Sequence, residues 1–161
     1  MPGQKLPEAR VDTSIKAASG ENIYKAIPGS VEYRRLDTGI RSVRNLGAGK
    51  MILSLDRENG ELLGLQSFVK TARWRMEGVE LHPNPDIEGA LLIGYCFGDK
   101  DFAYLTVSPV FRFNEESRTL RIKLSEGRVL VVKAADCLLA GIDGKGSLTD
   151  IWMLDLAFRA E

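Results

Sequence analysis

Residues 112–158 read RFNEESRTLRIKLSEGRVLVVKAADCLLAGIDGKGSLTDIWMLDLAF, a succession of apolar runs joined by two Gly-containing turns. Within it, residues 119–124 alternate: Leu120, Ile122 and Leu124 fall on one side and Thr119, Arg121 and Lys123 on the other. That is the period-two signal of a half-buried strand. Ser125-Glu126-Gly127 then reverses the chain, since Gly accepts the positive φ of a tight turn. Residues 128–134 return with Val129, Leu130, Val131 and Val132 in succession, so both faces read as buried and a central place in the sheet is expected. Residues 137–142 form the next run. After a turn at 143–146, residues 148–158 read as one long final strand, with Leu148, Trp152, Leu154, Leu156 and Phe158 on one face and Ile151 and Met153 on the other.

The order Phe113-Asn114-Glu115-Glu116, then Leu120-Arg121-Ile122, Ser125-Glu126-Gly127, Leu138-Leu139-Ala140-Gly141-Ile142-Asp143 and a final apolar strand resembles a small bacterial and archaeal family. That family is known only as a domain of unknown function, with a pattern of the type YDxExDxLYIxLxxG, a spacer, then LxxDxDxxGxIxGIEI. The resemblance covers about the last third of the chain, clearest over residues 111–158. Asn114 stands where the family has an acid, and Asp150-Ile151-Trp152 where it has Gly-Ile-Glu. The resemblance implies an all-β fold and no particular activity. Some members look like the neutralising half of toxin and antitoxin pairs, which implies a protein partner.

The 161 residues are enough for one domain with a sizeable core, and 44% apolar with 27% charged residues is ordinary for a globular protein. A formal net charge of zero gives no long-range pull towards nucleic acid or an anionic membrane. Cys96 and Cys137 lie in apolar runs and read as buried hydrophobes. No stretch approaches the ~20 apolar residues of a membrane span, and the start lacks the apolar core of a secretory signal. A cytoplasmic protein without cofactor or metal is the expectation.

Residues 1–18 mix Pro, Gly, Lys and Glu and read as a flexible arm. Residues 19–72 form a first β-unit, in which Arg34, Arg35, Arg41 and Arg44 make the strongest local basic cluster. Gly47-Ala48-Gly49-Lys50 lacks phosphate-loop spacing. A hairpin follows around the Asn59-Gly60 turn. Asp56, Gly60, Leu62, Leu65 and Phe68 align with Asp143, Gly146, Leu148, Ile151 and Leu154. This suggests that 19–72 and 111–161 are copies of one unit, each covering the apolar face of the other.

Residues 73–110 read as a connecting hairpin, with Tyr95 and Phe97 opposite Phe102 and Tyr104. It opens on Arg73-Trp74-Arg75, which could stack on or hold an anion. His82 stands in a Pro-flanked loop, and Asp99 and Asp101 in a polar turn.

No nucleophile with a base, paired carboxylate motif or metal spacing stands in the chain, so an enzyme is not the expectation. The expected architecture is about ten antiparallel strands in a sandwich or partly closed barrel. The expected role is non-catalytic protein binding, through self-association or a partner. Candidate contact residues are Arg34, Arg35, Arg41, Arg44, Arg73, Trp74, Arg75 and Trp152. The alternative is a barrel that binds a small ligand or nucleic acid through the four clustered arginines. Neutral overall charge disfavours nucleic acid as the partner.

Overall fold

The structure is a computed structural model and describes residues 6–27, 29–36, 39, 41–68, 75–76 and 82–159. These residues form strands and no helix, as apolar alternation broken by Gly-rich turns requires. The first sheet runs β10 (Phe102–Leu105), β4 (Val43–Ala48), β5 (Met51–Asp56), β6 (Leu62–Ser67), β3 (Ser30–Arg35), β2 (Gly20–Lys25), β16 (Ala157–Arg159). The second runs β7 (Arg75–Met76), β11 (Val110–Asn114), β12 (Thr119–Lys123), β15 (Leu148–Met153), β14 (Leu138–Asp143), β13 (Arg128–Ala135), β8 (Ile87–Glu88). A two-stranded ribbon pairs β1 (Glu8–Asp12) with β9 (Ala90–Gly94).

One continuous core joins the two large sheets as a sandwich. It takes Val31, Tyr33, Leu46 and Leu53 from the first and Leu120, Ile122, Leu138 and Ile151 from the second. Each such side chain contributes roughly 1.5–3 kcal/mol on burial. Phe158 links the sheets at one side, its ring centroid 5.4 Å from Tyr24 and 5.7 Å from Phe113.

The two sheets are wound alike. In chain order the strands of the first lie 2-3-6-5-4, and those of the second 11-12-15-14-13. The turn before β3 has positive φ at Gly29 and the turn before β12 at Arg118. The β5–β6 ladder is irregular at Ser54/Leu55 and the β14–β15 ladder at Gly141/Ile142. The ribbon serves both: Ala9 N–H donates to the Gly146 carbonyl at 2.9 Å, and Ile93 N–H to the Gly60 carbonyl at 2.8 Å. Gly60 has φ 79° and sits so close to the Ile93 carbonyl oxygen that a Cβ would lie 2.4 Å from it, so only Gly fits.

Several expectations are corrected. The expected arm is docked over residues 8–18, where β1 forms a full ladder with β9 and Ala18 bridges to Ala135. Its sparse apolar groups suffice because β9 supplies Leu91 and Ile93. Residues 90–105 are no hairpin: β9 pairs with β1, and β10 runs parallel to β4. Tyr95 contacts Phe97 and Phe102 contacts Tyr104, each pair within its own segment.

Residues 148–158 are not one strand. The chain breaks at Asp155, with φ 53°, and β16 crosses to pair with β2 of the other sheet. The buried Asn22 amide holds this break, donating to the Leu154 and Cys137 carbonyls at 2.8 Å each. The central strand is β15, buried at all six positions, whereas β13 has, among the described residues, only two-residue β8 outside it and exposes Val129.

Candidate functional site

The clustered arginines do not converge on one surface. Arg34 points out from β3 and donates from Nε to Glu21 Oε1 at 2.6 Å, both side chains being partly exposed. Arg44 lies near the outer edge of the first sheet, its guanidinium 5.4 Å from the Phe97 ring centroid and its Nε 3.9 Å from Asp101 Oδ1. Asp101 is taken more closely by Arg57, at 2.5 Å. That hydrogen bond holds the Asp101 carboxyl below its ordinary value, with the Arg57 and Arg44 charges adding to it.

Arg35 and Arg41 do meet, on Glu61. Arg35 Nη1 donates to Glu61 Oε2, and both side chains are more than nine-tenths buried. Arg41 Nη1 donates to Glu61 Oε1 at 2.9 Å and lies 3.5 Å from Asp56 Oδ2. Glu61 is the first residue after the Asn59-Gly60 turn, and its N–H donates to Asn59 Oδ1 at 2.9 Å. Asp56 closes the same turn, its Oδ1 accepting from the N–H groups of Glu58 at 2.8 Å and Asn59 at 3.2 Å. Arg57 ties the turn to the β3–β4 connection, donating from Nε to Ser42 Oγ at 3.0 Å. Between connection and turn lies an open cleft of about 520 Å³, with Ile15 on one wall.

The like-wound second sheet has a counterpart cleft of about 500 Å³. There Asp143 Oδ1 accepts from the N–H groups of Lys145 and Ser147 at 2.9 Å each, so an aspartate again closes the turn, here one residue shorter than the turn that Asp56 closes. Ser147 occupies the position of Glu61, and no arginine lines that cleft.

Trp152 is no open stacking surface. It is 3% exposed, bracketed by the guanidinium groups of Arg121 at 5.4 Å and Arg128 at 5.1 Å from the ring centroid. Arg121 is anchored by two hydrogen bonds to buried Asp150 Oδ2, at 3.0 and 2.7 Å. Arg73 and Trp74 lie outside the described residues; for Arg75 only the backbone is described, opposite Arg112 in the β7–β11 pairing.

His82 Nδ1 sits 3.1 Å from the Pro83 carbonyl. Among the described residues no three His, Cys, Asp or Glu side chains are grouped to hold a metal. Cys137 is buried as expected, but Cys96 is exposed, because β9 ends at Gly94 and Cys96 lies beyond its ladder.

Sequence reading missed Glu61, Asp150, Arg121 and Arg128. The one available signal was the acid immediately after Asn-Gly, since a residue at that point is fixed by the turn. No protein-family model matches the chain, and no curated protein is significantly similar to it. No helix among the described residues is long and apolar enough to cross a membrane.

Proposed function

We propose that the chain is a cytoplasmic, non-catalytic β-protein that acts by binding protein, either a second copy of itself or a partner such as a toxin-like protein. The observation that carries this reading is where large apolar side chains reach solvent. Ile27, Leu36, Val43, Phe68, Tyr104 and Phe158 all belong to the first sheet or its connections, and among the described residues only Val129 does so on the second. Tyr104 is 70% exposed, yet its position is set by neighbours: a Cβ on Gly47 would lie 2.9 Å from its ring, and the Phe102 ring packs against it at a tilt, centroids 4.6 Å apart. An aromatic group fixed this way loses little entropy on being covered, which is what an interface anchor needs.

The duplication of one unit belongs to the same proposal. The common winding, the shared turn conformations and the matching ladder irregularities support it. The alternative, an anion or single strand held by Arg34, Arg35, Arg41 and Arg44, has less support, since each of these faces a carboxylate. Light scattering of the purified chain, beside affinity capture from nuclease-treated lysate, tests the proposal. A dimer or a stoichiometric protein partner is expected; a monomer that captures no protein would end it.

A further inference from the structure

Arg35 and Arg41 were expected as parts of a positive surface, but the cleft they line carries no excess of positive charge. Two guanidinium groups stand against the carboxylates of Asp56, Glu58 and Glu61. We propose that this cleft binds an uncharged, hydroxyl-rich ligand of about monosaccharide size. An anion entering it meets three carboxylates. A cation meets Arg41, backed by Arg35. Each charged class therefore meets a like charge beside an opposite one, whereas a neutral ligand meets no repulsion.

A hydroxyl group both donates and accepts. On adjacent carbons, one can donate to a carboxylate of Asp56 or Glu58 while the next accepts from Arg41, and no net charge has to leave water. Arg41 is suited to this task because its Nη1 is already fixed by Glu61 and Asp56 while its side chain stays one-third exposed, at 34%. Asn59 adds an amide, and Ile15 an apolar wall for the C–H side of a ring. The volume of about 520 Å³ lies in the range of small-molecule sites.

The counterpart cleft acts as an internal control. It closes a turn one residue shorter through Asp143, with Ser147 in place of Glu61 and no arginine in its lining. Closing the turn therefore does not require the ion network. Burying the Arg35 guanidinium with the Glu61 carboxylate costs desolvation that a plain turn avoids, so the presence of this pair in one cleft points to a task there.

The test is a two-dimensional amide NMR titration of the full chain with methyl glucoside and myo-inositol, beside sodium phosphate and free lysine as charged comparators. The proposal expects saturable shifts at the amides of Glu58, Asn59 and Glu61 with a neutral probe, and none at Lys145 or Ser147. Glu58→Ala, at an exposed position, should weaken the response about fivefold without loss of fold. Arg41→Lys should abolish it while the rest of the spectrum is retained. No shift with either neutral probe, equal shifts in both clefts, or saturation by phosphate or lysine alone would each overturn it. None of these outcomes bears on protein binding, which the capture experiment reads separately.

Discussion

Ala9 and Ile93 face each other one pair in from the end of the β1–β9 ribbon, a small side chain against a large one, both buried. The ribbon bonds to a turn of each large sheet, at Gly146 and Gly60, and on either side of this contact Glu8 opposes Gly94 and Arg10 opposes Leu92. Size complementarity here suits β1 to β9. Ile93→Ala should cost about 2–5 kcal/mol by leaving a cavity, and Ala9→Ile about 1–3 kcal/mol by overpacking. The double exchange restores the volume, so urea denaturation should show it more stable than the sum of the singles predicts, by about 1 kcal/mol or more.

Glu61 neutralises a guanidinium that cannot reach water. Glu61→Ala should therefore destabilise the fold by about 3–5 kcal/mol, because the buried Arg35 guanidinium loses the carboxylate its Nη1 donates to. Ser147→Ala at the matching position should cost less than about 1 kcal/mol. Chemical denaturation of the two variants side by side checks the asymmetry.

The two thiols should behave as opposites. Burial, helped by the nearby Asp136 charge, pushes the Cys137 thiol up to about 12, while Cys96 is exposed. A thiol reagent at mildly alkaline pH should modify Cys96 quickly and Cys137 only on unfolding. Because the folded value of Cys137 is raised, its stabilising contribution is complete below the unfolded thiol range and fades as pH rises towards about 12.

Asp101 works in the other direction. The hydrogen bond from Arg57 holds its carboxyl below the ordinary value, so its contribution is present above the unfolded carboxylate pKa and is lost as pH falls through the depressed folded one. Asp101→Asn should flatten the acid limb of the stability profile and leave stability near neutral pH little changed, since the pair is exposed. Thermal unfolding across the acid range reads this directly.

Local pattern was enough to read the hairpin around Asn59-Gly60 and the alternation of Leu120 and Ile122. Each depends on neighbours in the chain, and such signals survive without a partner. What it could not show depends on distant residues. Residues 90–94 are apolar in either pairing, and only the position of β1 decides that β9 leaves its neighbour β10 for a strand near the N-terminus. The break at Asp155 rests on Asn22, 132 residues from the Leu154 carbonyl it holds. At the candidate site, Arg35 and Arg41 stood out by charge, but Glu61 lies 26 residues from Arg35, so the cluster read as open and positive when it is matched and closed.

The most direct test of the protein-binding account is affinity capture from nuclease-treated native lysate with three baits: the native chain, a Leu36→Ser, Val43→Ser, Tyr104→Ser variant, and Val129→Ser. The account predicts that a protein in stoichiometric amount, or a second copy of the chain, is held by the native chain and by Val129→Ser and lost with the triple variant. Retention by the triple variant equal to the native chain, or recovery of no protein by any bait, would contradict it.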